Sequence, residues 1–205
     1  MKILITGFEP MYRYWNVNPS WEAVSRLPDE IGGAEIIKLR LPIVFSKATE
    51  LLERHIAELR PDAVVSVGQS GAANCIQIER IGVNINDCHG VPDNDEDAPQ
   101  DRIIREDGDA AYFCTLPTRK MIETLRAHGI PADLSEHAGC HLCNHATYTA
   151  AYLRAKKYPH MRTGFIHVPF LRSQCLSAGN KRYTMELDVT VRALELALET
   201  LASEL

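Results

Sequence analysis

Two kinds of apolar pattern alternate along the chain. Short runs rich in β-branched residues predict buried strands, at residues 2–6, 36–41, 63–67, 81–85 and 164–168. Longer segments with apolar residues at helical spacing follow or separate them, at residues 46–60, 118–128, 144–157 and 184–203. Strands that alternate with helices of this length predict an α/β fold, a three-layer α/β/α sandwich around a mostly parallel twisted sheet.

The chain shows no repeat, low-complexity tract or linker that would divide it. Because 205 residues suffice for one well-buried core and are short for two, we expect a single catalytic domain over residues 1–205. The one long irregular stretch covers residues 87–109, and a loop of that length usually binds a ligand or covers a site. The apolar face of the last helix fits an interface or, as the better interpretation, the core. Its members are Leu187, Val191, Leu194 and Leu198.

The charge balance limits the partners. The formal net charge is -5 at pH 7, whereas a nucleic acid or an anionic membrane would require a basic face, so we expect neither. No apolar run approaches the roughly 20 residues that cross a bilayer. The apolar run at the N-terminus is too short for a signal peptide, which favours a cytoplasmic protein. In that compartment the six cysteines are expected to be mostly reduced thiols.

Cys143 stands where a turn-like segment gives way to the predicted helix at residues 144–157. A thiol at a helix N-terminus is a better nucleophile, because the helix dipole and the unpaired N–H groups favour the thiolate. The same N–H groups could stabilise the oxyanion of a tetrahedral intermediate. The alternative is a buried, inert thiol.

His167 and Glu79 are polar residues inside apolar, strand-like runs. His167 precedes Pro169 near the end of a predicted strand, and ligands of open α/β sheets bind at that edge. A buried carboxylate such as Glu79 requires a partner, and Arg80 would point to the opposite face. Together with Cys143, these residues supply a nucleophile, a base and an orienting acid. The alternative for His167 is a core histidine bonded to a carbonyl.

A competing cluster overlaps the proposed nucleophile. Five cysteines and histidines fall within nine positions, namely His137, Cys140, His141, Cys143 and His145. The C-x-x-C spacing of Cys140 and Cys143 is compatible with half of a zinc site or with a redox pair, but no second pair completes a structural site. The glycine-rich segment at residues 68–71 matches neither nucleotide-binding motif, and we expect it to shape the floor of the site.

In order along the chain, the sequence resembles the pyroglutamyl peptidase I family, also called pyrrolidone-carboxylate peptidases. The motifs that carry the resemblance are GFEP (7–10), NPSWEAV (18–24), GQSG (68–71), IERI (78–81), VNI (83–85), PDN (92–94), AYFCTLP (111–117), AG (138–139), LCNH (142–145) and FIHVPFL (165–171). They cover most of residues 1–171, and an ordered series of this kind is highly specific.

The resemblance implies a cysteine exopeptidase that removes an N-terminal pyroglutamyl (5-oxoprolyl) residue from small peptides through a thioester, with no metal and no cofactor. It implies Cys143 as nucleophile, His167 as general base and Glu79 as the catalytic glutamate. It also implies a homotetramer. Phe8 matches a family pocket aromatic, and Gln69 is expected to offer backbone hydrogen bonds to the lactam ring.

The sequence departs from the family pattern at two places. Met11 and the two residues after it replace the usual Phe-Gly-Gly, and Met11 is expected to line the pocket because it is apolar. The arginine that the family usually carries before the Asp-Asn pair is absent, and His89 is the expected substitute donor. Two alternatives therefore accompany the peptidase interpretation. One is a catalytically weak protein that binds pyroglutamyl ligands on the same fold, and the other is a metal or redox protein built on Cys140 and Cys143.

Overall fold

The structure is a computed structural model that describes residues 1–176 and 182–205. The strands are β1 (Lys2–Phe8), β2 (Glu30–Ile31), β3 (Ala34–Leu41), β4 (Ala63–Gln69), β5 (Ile76–Glu79), β6 (Ile81–Val83), β7 (Ala111–Phe113), β8 (Ala132–Ser135) and β9 (Arg162–Val168). The helices are α1 (Pro19–Ser25), α2 (Phe45–Leu59), α3 (Thr118–Ala127), α4 (Leu142–Lys156), α5 (Arg172–Leu176) and α6 (Leu187–Ala202).

Within the described residues, seven strands form the central sheet in the order β2-β3-β1-β4-β9-β5-β8. The neighbours β3, β1, β4 and β9 run parallel to one another. Strand β5 is antiparallel to β9, and β8 is parallel to β5. The prediction of a mostly parallel sheet is confirmed, and its central strands are buried on both faces, as the continuous apolar run of β4 indicates.

Helices cover both faces of the sheet and create two hydrophobic cores. One core joins the sheet to α1, α3 and α6, and it contains Leu194 and Leu198 of α6. The other joins the opposite face to α2 and α4, through residues such as Leu52 and Ala146. The α/β/α sandwich is therefore confirmed, and the apolar face of α6 belongs to the core.

Helix α4 is buried around almost its whole circumference, because it lies between the sheet, α2 and the small β6–β7 ribbon. It begins at Leu142, two residues earlier than predicted, so that Cys143 is its second residue. Helix α2 ends where Arg60 adopts a left-handed conformation (φ 47°) before Pro61, which cannot continue a helix. Its first N–H, on Phe45, donates to a carboxylate oxygen of Asp93 from the long loop (3.0 Å).

The prediction of a buried sheet strand at residues 81–85 was wrong. The strand stops at Val83 and pairs with β7 in a separate ribbon instead of joining the central sheet. The reason lies in Asn144 of α4. Its amide accepts from the Val83 N–H (2.9 Å) and donates to the carbonyls of Val83 and Ile85 (2.9 Å each), in place of a neighbouring strand.

Other elements differ from the predicted ones mainly at their ends. Helix α6 starts at Leu187 and not at residue 184, because Thr184 forms a bridge with Phe170. The short elements α1, α5, β2, β7 and β8 have no counterpart among the predicted ones. The stretch at residues 87–109 is irregular, as predicted, with turns and an isolated bridge at Arg102. In the part of the chain that the structure describes, no helix combines the length and the apolar character needed to cross a membrane.

Candidate active site

Three neighbouring strands and the start of α4 bring the predicted catalytic residues together. His167 on β9 is paired with Gly68 on β4 and, on its other side, with Gln77 on β5. Because alternate residues of a strand share a face, Glu79 lies on the same face as Gln77 and two residues further into the sheet. That face is the one covered by α4. Glu79 and His167, 88 positions apart in sequence, therefore become neighbours.

The His167 ring is fixed by Glu79. Nδ1 of His167 donates to Oε1 of Glu79 at 2.6 Å, and both side chains are buried, with 7% and 1% exposed. Oε2 of Glu79 has no hydrogen-bond partner among the described residues. Since Nδ1 carries the hydrogen that Glu79 accepts, Nε2 is the ring atom available to a reacting group.

Cys143 approaches the same ring from the first turn of α4. Its Sγ lies over Gly68, so close that a Cβ on this glycine would come within 2.9 Å of the sulfur and 2.6 Å of the Phe165 ring. Because Gly68 is the strand partner of His167, its missing side chain allows the thiol to reach the imidazole. Cys143 and His167 line one cavity, and the nearby thiol contributes to the charge state of the ring.

The electrostatics of the site favour a charged pair. Burial alone would lower the pKa of His167, but the charge of Cys143, its hydrogen bond to the ring and the contact with Glu79 outweigh burial and raise the pKa to about 9. An imidazolium at neutral pH is the natural partner of a thiolate. The first turn of α4 adds to this effect, because no side chain caps it and the N-terminus of a helix favours an anion.

Two cavities meet at Cys143. The first, here called the Phe8 cavity, has a volume of about 380 Å³ and contains all four residues predicted to bind substrate. These are Phe8, Met11, Gln69 and His89. The second, here called the His167 cavity, has a volume of about 430 Å³ and contains Glu79 and His167. Gln69, Cys140, His141 and Cys143 line both, so the thiol stands on the boundary between them.

The walls of the Phe8 cavity are mostly apolar. Phe8 is fully buried with its ring 6.5 Å from that of Phe165. The side-chain oxygen of Gln69 already has a hydrogen-bond partner, because Oε1 accepts from the Gln174 amide (2.8 Å). His89 lies at the rim with 82% of its side chain exposed, and its Nδ1 is 3.4 Å from a carboxylate oxygen of Asp87. Among the described residues that line this cavity, the basic side chains are His89 and His141, so no arginine occupies it.

The two segments that depart from the family pattern contact each other. Arg13 pairs with both carboxylate oxygens of Glu96 (2.8 and 2.7 Å), and the Tyr12 N–H donates to Asn94 (3.2 Å). The Asn94 amide in turn donates to Glu9 (3.0 Å). The loop that carries Met11 is thereby attached to the same long loop that carries His89. Sequence reasoning gave no sign of this contact.

The crowded Cys and His cluster does not converge on one point. Nε2 of His141 contacts the Val91 carbonyl (3.1 Å), whereas the His145 ring lies between Thr49 and Asn86 on another side of α4. All six cysteines are free thiols. Within residues 1–176 and 182–205, no group of three or more His, Cys, Asp or Glu side chains is placed to hold a metal ion.

The sequence predicted that the segment at residues 68–71 shapes the floor of the site, but not that Gly68 makes room for the thiol. It missed two further residues, Asn144, which fixes the loop beside the thiol, and Gln77, which stands opposite the imidazole. Asn144 follows the nucleophile directly, which is a signal that could have been used. The roles of Gly68 and Gln77 depend on strand register, which the sequence does not reveal.

A thiol at the start of a helix, beside an imidazole that a buried carboxylate orients, is the arrangement of the cysteine hydrolases. Comparisons with known proteins narrow this class. The family profile described as pyroglutamyl peptidase matches residues 1–204. The chain belongs to the pyroglutamyl peptidase family and is a cysteine peptidase, which confirms the family and the enzyme class predicted from the sequence.

Individual relatives give the same result over nearly the whole chain. The pyrrolidone-carboxylate peptidase of Finegoldia magna is 46% identical over 201 residues, which cover 97% of this chain and 92% of the relative. That of Thermosipho africanus is 47% identical over 204 residues, covering 100% of this chain and 98% of the relative. The crystal structure of pyroglutamyl peptidase I from Bacillus amyloliquefaciens is 37% identical, has a TM-score of 0.93 and covers 98% of this chain and 97% of that chain.

Proposed function

We propose that this chain hydrolyses the peptide bond that follows an N-terminal pyroglutamyl residue, with Cys143 as nucleophile, His167 as general base and acid, and Glu79 as the group that orients and stabilises the imidazolium. The observation that carries the proposal is the hydrogen bond of His167 to Glu79 inside a cavity that Cys143 also lines, at the boundary with a second, apolar cavity. Family membership supports the choice of substrate.

The first chemical step forms the thioester. The Cys143 thiolate attacks the carbonyl carbon attached to the lactam ring, and the negative charge moves to the carbonyl oxygen. The uncapped N–H groups at the start of α4 serve as donors to this oxyanion. As the C–N bond breaks, His167 gives its Nε2 proton to the leaving amine, which departs as a neutral peptide.

The second step releases pyroglutamate. The neutral His167 takes a proton from water, and the resulting hydroxide attacks the thioester carbonyl. Collapse of the tetrahedral intermediate breaks the C–S bond and restores the Cys143 thiolate beside the imidazolium. Glu79 remains ionised throughout and stabilises the charged ring in both steps.

We further propose that the Phe8 cavity binds the pyroglutamyl ring. The ring carries no ammonium group, so an apolar pocket with a few hydrogen-bonding groups suits it better than a charged one. Phe8 and Met11 provide apolar contacts, and the backbone of Gln69 provides hydrogen bonds to the lactam. His89, at the rim, takes the place of the absent arginine as a donor to the substrate carbonyl.

The test is a fluorogenic assay with a pyroglutamyl-coumarin amide. Wild-type protein should release the fluorophore, iodoacetamide should block release, and the Cys143→Ala and His167→Ala variants should be inactive. An active Cys143→Ala protein would refute the mechanism. Binding of pyroglutamate by the wild-type protein without turnover, measured by calorimetry, would instead favour the weak-binding alternative, for which the cavity without an arginine is the supporting observation.

The domain organisation, the cellular compartment and the assembly of the enzyme are also proposed. We propose that residues 1–205 act as one catalytic domain in the cytoplasm and assemble as a homotetramer, the assembly that the family resemblance implies. Light scattering coupled to size-exclusion chromatography tests the assembly, since it should give four times the mass of the chain. A monomeric mass at micromolar concentration would contradict it.

A further inference from the structure

Of the two cavities at Cys143, one contains the general acid and the other does not. This difference indicates which cavity receives the leaving peptide and which receives the pyroglutamyl group. His167 lines the His167 cavity and is absent from the lining of the Phe8 cavity among the described residues. A general acid must lie within hydrogen-bond reach of the nitrogen that it protonates. The leaving amine must therefore emerge on the side of the His167 cavity, while the acyl group occupies the other side of the sulfur.

Gln77 is the polar side chain best placed to meet the leaving peptide there. It is paired directly with His167 across β5 and β9, and the side chains of such a pair lie on the same face about 5 Å apart. It is half-buried and lines the His167 cavity. Its amide makes no hydrogen bond with any residue in the described ranges 1–176 and 182–205, so both its donor and its acceptor are available.

We propose that the His167 cavity is the binding site for the leaving peptide, and that the Gln77 amide recognises the first peptide group beyond the scissile bond. This inference rests on the proposed function. A primary amide offers one acceptor oxygen and an NH₂ donor, which complement the N–H and the carbonyl of a peptide group. Gln77 is thus a specificity-determining residue for the backbone of the substrate rather than for its side chains.

The rest of the cavity supports recognition of the backbone. Its walls beyond Gln77 are built largely from small residues, such as Ser70, Gly71, Ala138 and Gly139, which leave room for side chains of different size. The guanidinium of Arg182 lies against Gly71 and over the Phe170 ring, 5.0 Å from its centroid. The enzyme should therefore accept many residues after pyroglutamate and cleave the bond faster when a peptide group follows them.

The experiment compares two substrates, pyroglutamyl-alanyl-glycine and the pyroglutamyl-coumarin amide, which lacks that peptide group. In Gln77→Met, which keeps the length of the side chain and removes its hydrogen bonds, the ratio of kcat/KM for peptide over coumarin should fall about 3- to 10-fold. Gln100→Met makes the same exchange at an exposed position that lines neither cavity, and it should keep the wild-type ratio.

A second arm uses the wild-type protein with an altered substrate, so it does not depend on the folding of a variant. Replacing the amide between alanine and glycine by an ester removes the N–H that would donate to the side-chain oxygen of Gln77. The wild type should lose about 3- to 10-fold in kcat/KM, and Gln77→Met should lose less, as in a double-mutant cycle. Equal losses in both proteins, or an unchanged ratio in Gln77→Met, would overturn the inference. Failure of the wild type to cleave either substrate would overturn the proposed function instead.

Discussion

The buried carboxylate of Glu79 determines how the His167 ring is oriented and charged. Its Oε1 accepts the Nδ1 hydrogen, whereas Oε2 has no partner among the described residues. A carboxylate that is 1% exposed with a single protein contact is poorly stabilised unless that contact is cationic. The imidazolium that catalysis requires is therefore also the form that makes the buried pair stable.

This pair gives a first prediction, for Glu79→Gln. The amide fills the same volume but carries no charge, and it can present its NH₂ to Nδ1 and favour the wrong tautomer of His167. We expect kcat to fall by about 10²- to 10⁴-fold. Thermal unfolding monitored by circular dichroism should show a folded protein. Turnover at the wild-type level would remove Glu79 from the catalytic machinery.

The raised pKa of His167 gives a second prediction, on pH dependence. Because the thiolate and Glu79 raise the pKa to about 9 from an ordinary value of 6.5, kcat/KM should fall as the pH rises through about 9 and the imidazolium loses its proton. The stabilisation from this ionisation should be full below about pH 6.5 and lost as the pH rises through about 9.

An NMR titration of the His167 ring tests whether Cys143 contributes to its raised pKa. In Cys143→Ala the thiolate charge is gone while burial remains, so the pKa of His167 should be lower than in the wild type. A ring that titrates at the same pH in both proteins would show that Cys143 does not set its charge.

Gly68 gives a third prediction. In Gly68→Ala the new Cβ would lie 2.9 Å from Sγ of Cys143 and 2.6 Å from the Phe165 ring, so the thiol must move. A displacement of about 1 Å costs about 10²-fold in rate. Gly164→Ala on β9 is the matched control, because its Cβ meets Leu116 on the other face of the sheet. It should lower stability but leave kcat of the folded protein close to wild type. Equal rate losses in both variants would contradict the steric explanation.

At the scale of elements, helix α4 illustrates what sequence patterns can and cannot predict. The helix itself was predicted, but it has almost no exposed face, because the sheet, α2 and the β6–β7 ribbon surround it. The pattern at residues 81–85 predicts a strand of the main sheet, because the apolar residues of a separate ribbon follow the same pattern. What distinguishes the two is a tertiary contact, the side chain of Asn144, which no local pattern encodes.

That contact gives a fourth prediction. Asn144→Ala leaves the Val83 N–H and the Ile85 carbonyl without their partner, whereas the Val83 carbonyl still accepts from the Ile85 N–H (2.9 Å). An unpaired buried polar group costs about 1–3 kcal/mol, so urea unfolding should show a loss of about 2–4 kcal/mol. Asn74→Ala, at an exposed position, should change the free energy of unfolding by less than about 0.5 kcal/mol. Similar losses in the two variants would mean that the amide does not secure the ribbon.

At the scale of the whole molecule, the sequence predicted the layers and pointed to Cys143, His167 and Glu79, but it did not predict the route of the chain. Alternation of strands and helices implied a parallel sheet, and nothing in the apolar run around Glu79 distinguishes an antiparallel strand from a parallel one. The proposed functions of these three residues came from the residues themselves and from motif resemblance. Gln77 and Gly68 required the register of β5, β9 and β4.

The six free thiols allow a fifth prediction for the molecule as a whole. Burial raises the pKa of Cys88 to about 11. Burial, aided by Glu79, raises the pKa of Cys114 to about 12, and burial also raises those of Cys75 and Cys140. Since the thiolate is the reactive form, one equivalent of iodoacetamide at pH 7 should label mainly Cys143. Peptide mass spectrometry measures this, with urea-denatured protein as the control that labels all six.

Predominant labelling of Cys140 would contradict this prediction. It would also reopen the redox interpretation of the C-x-x-C pair.

The path of the chain through the sheet has a consequence for synthesis on the ribosome. Strands β4 and β5 follow each other closely in sequence, yet β9, made almost a hundred residues later, lies between them. Until residue 168 leaves the exit tunnel, β4 has an unpaired edge and Glu79 has no imidazole beside it. Such non-local pairing is slow to form. A polypeptide released before β9 would lack the proposed base, so we expect peptide cleavage to begin only when the molecule is nearly finished.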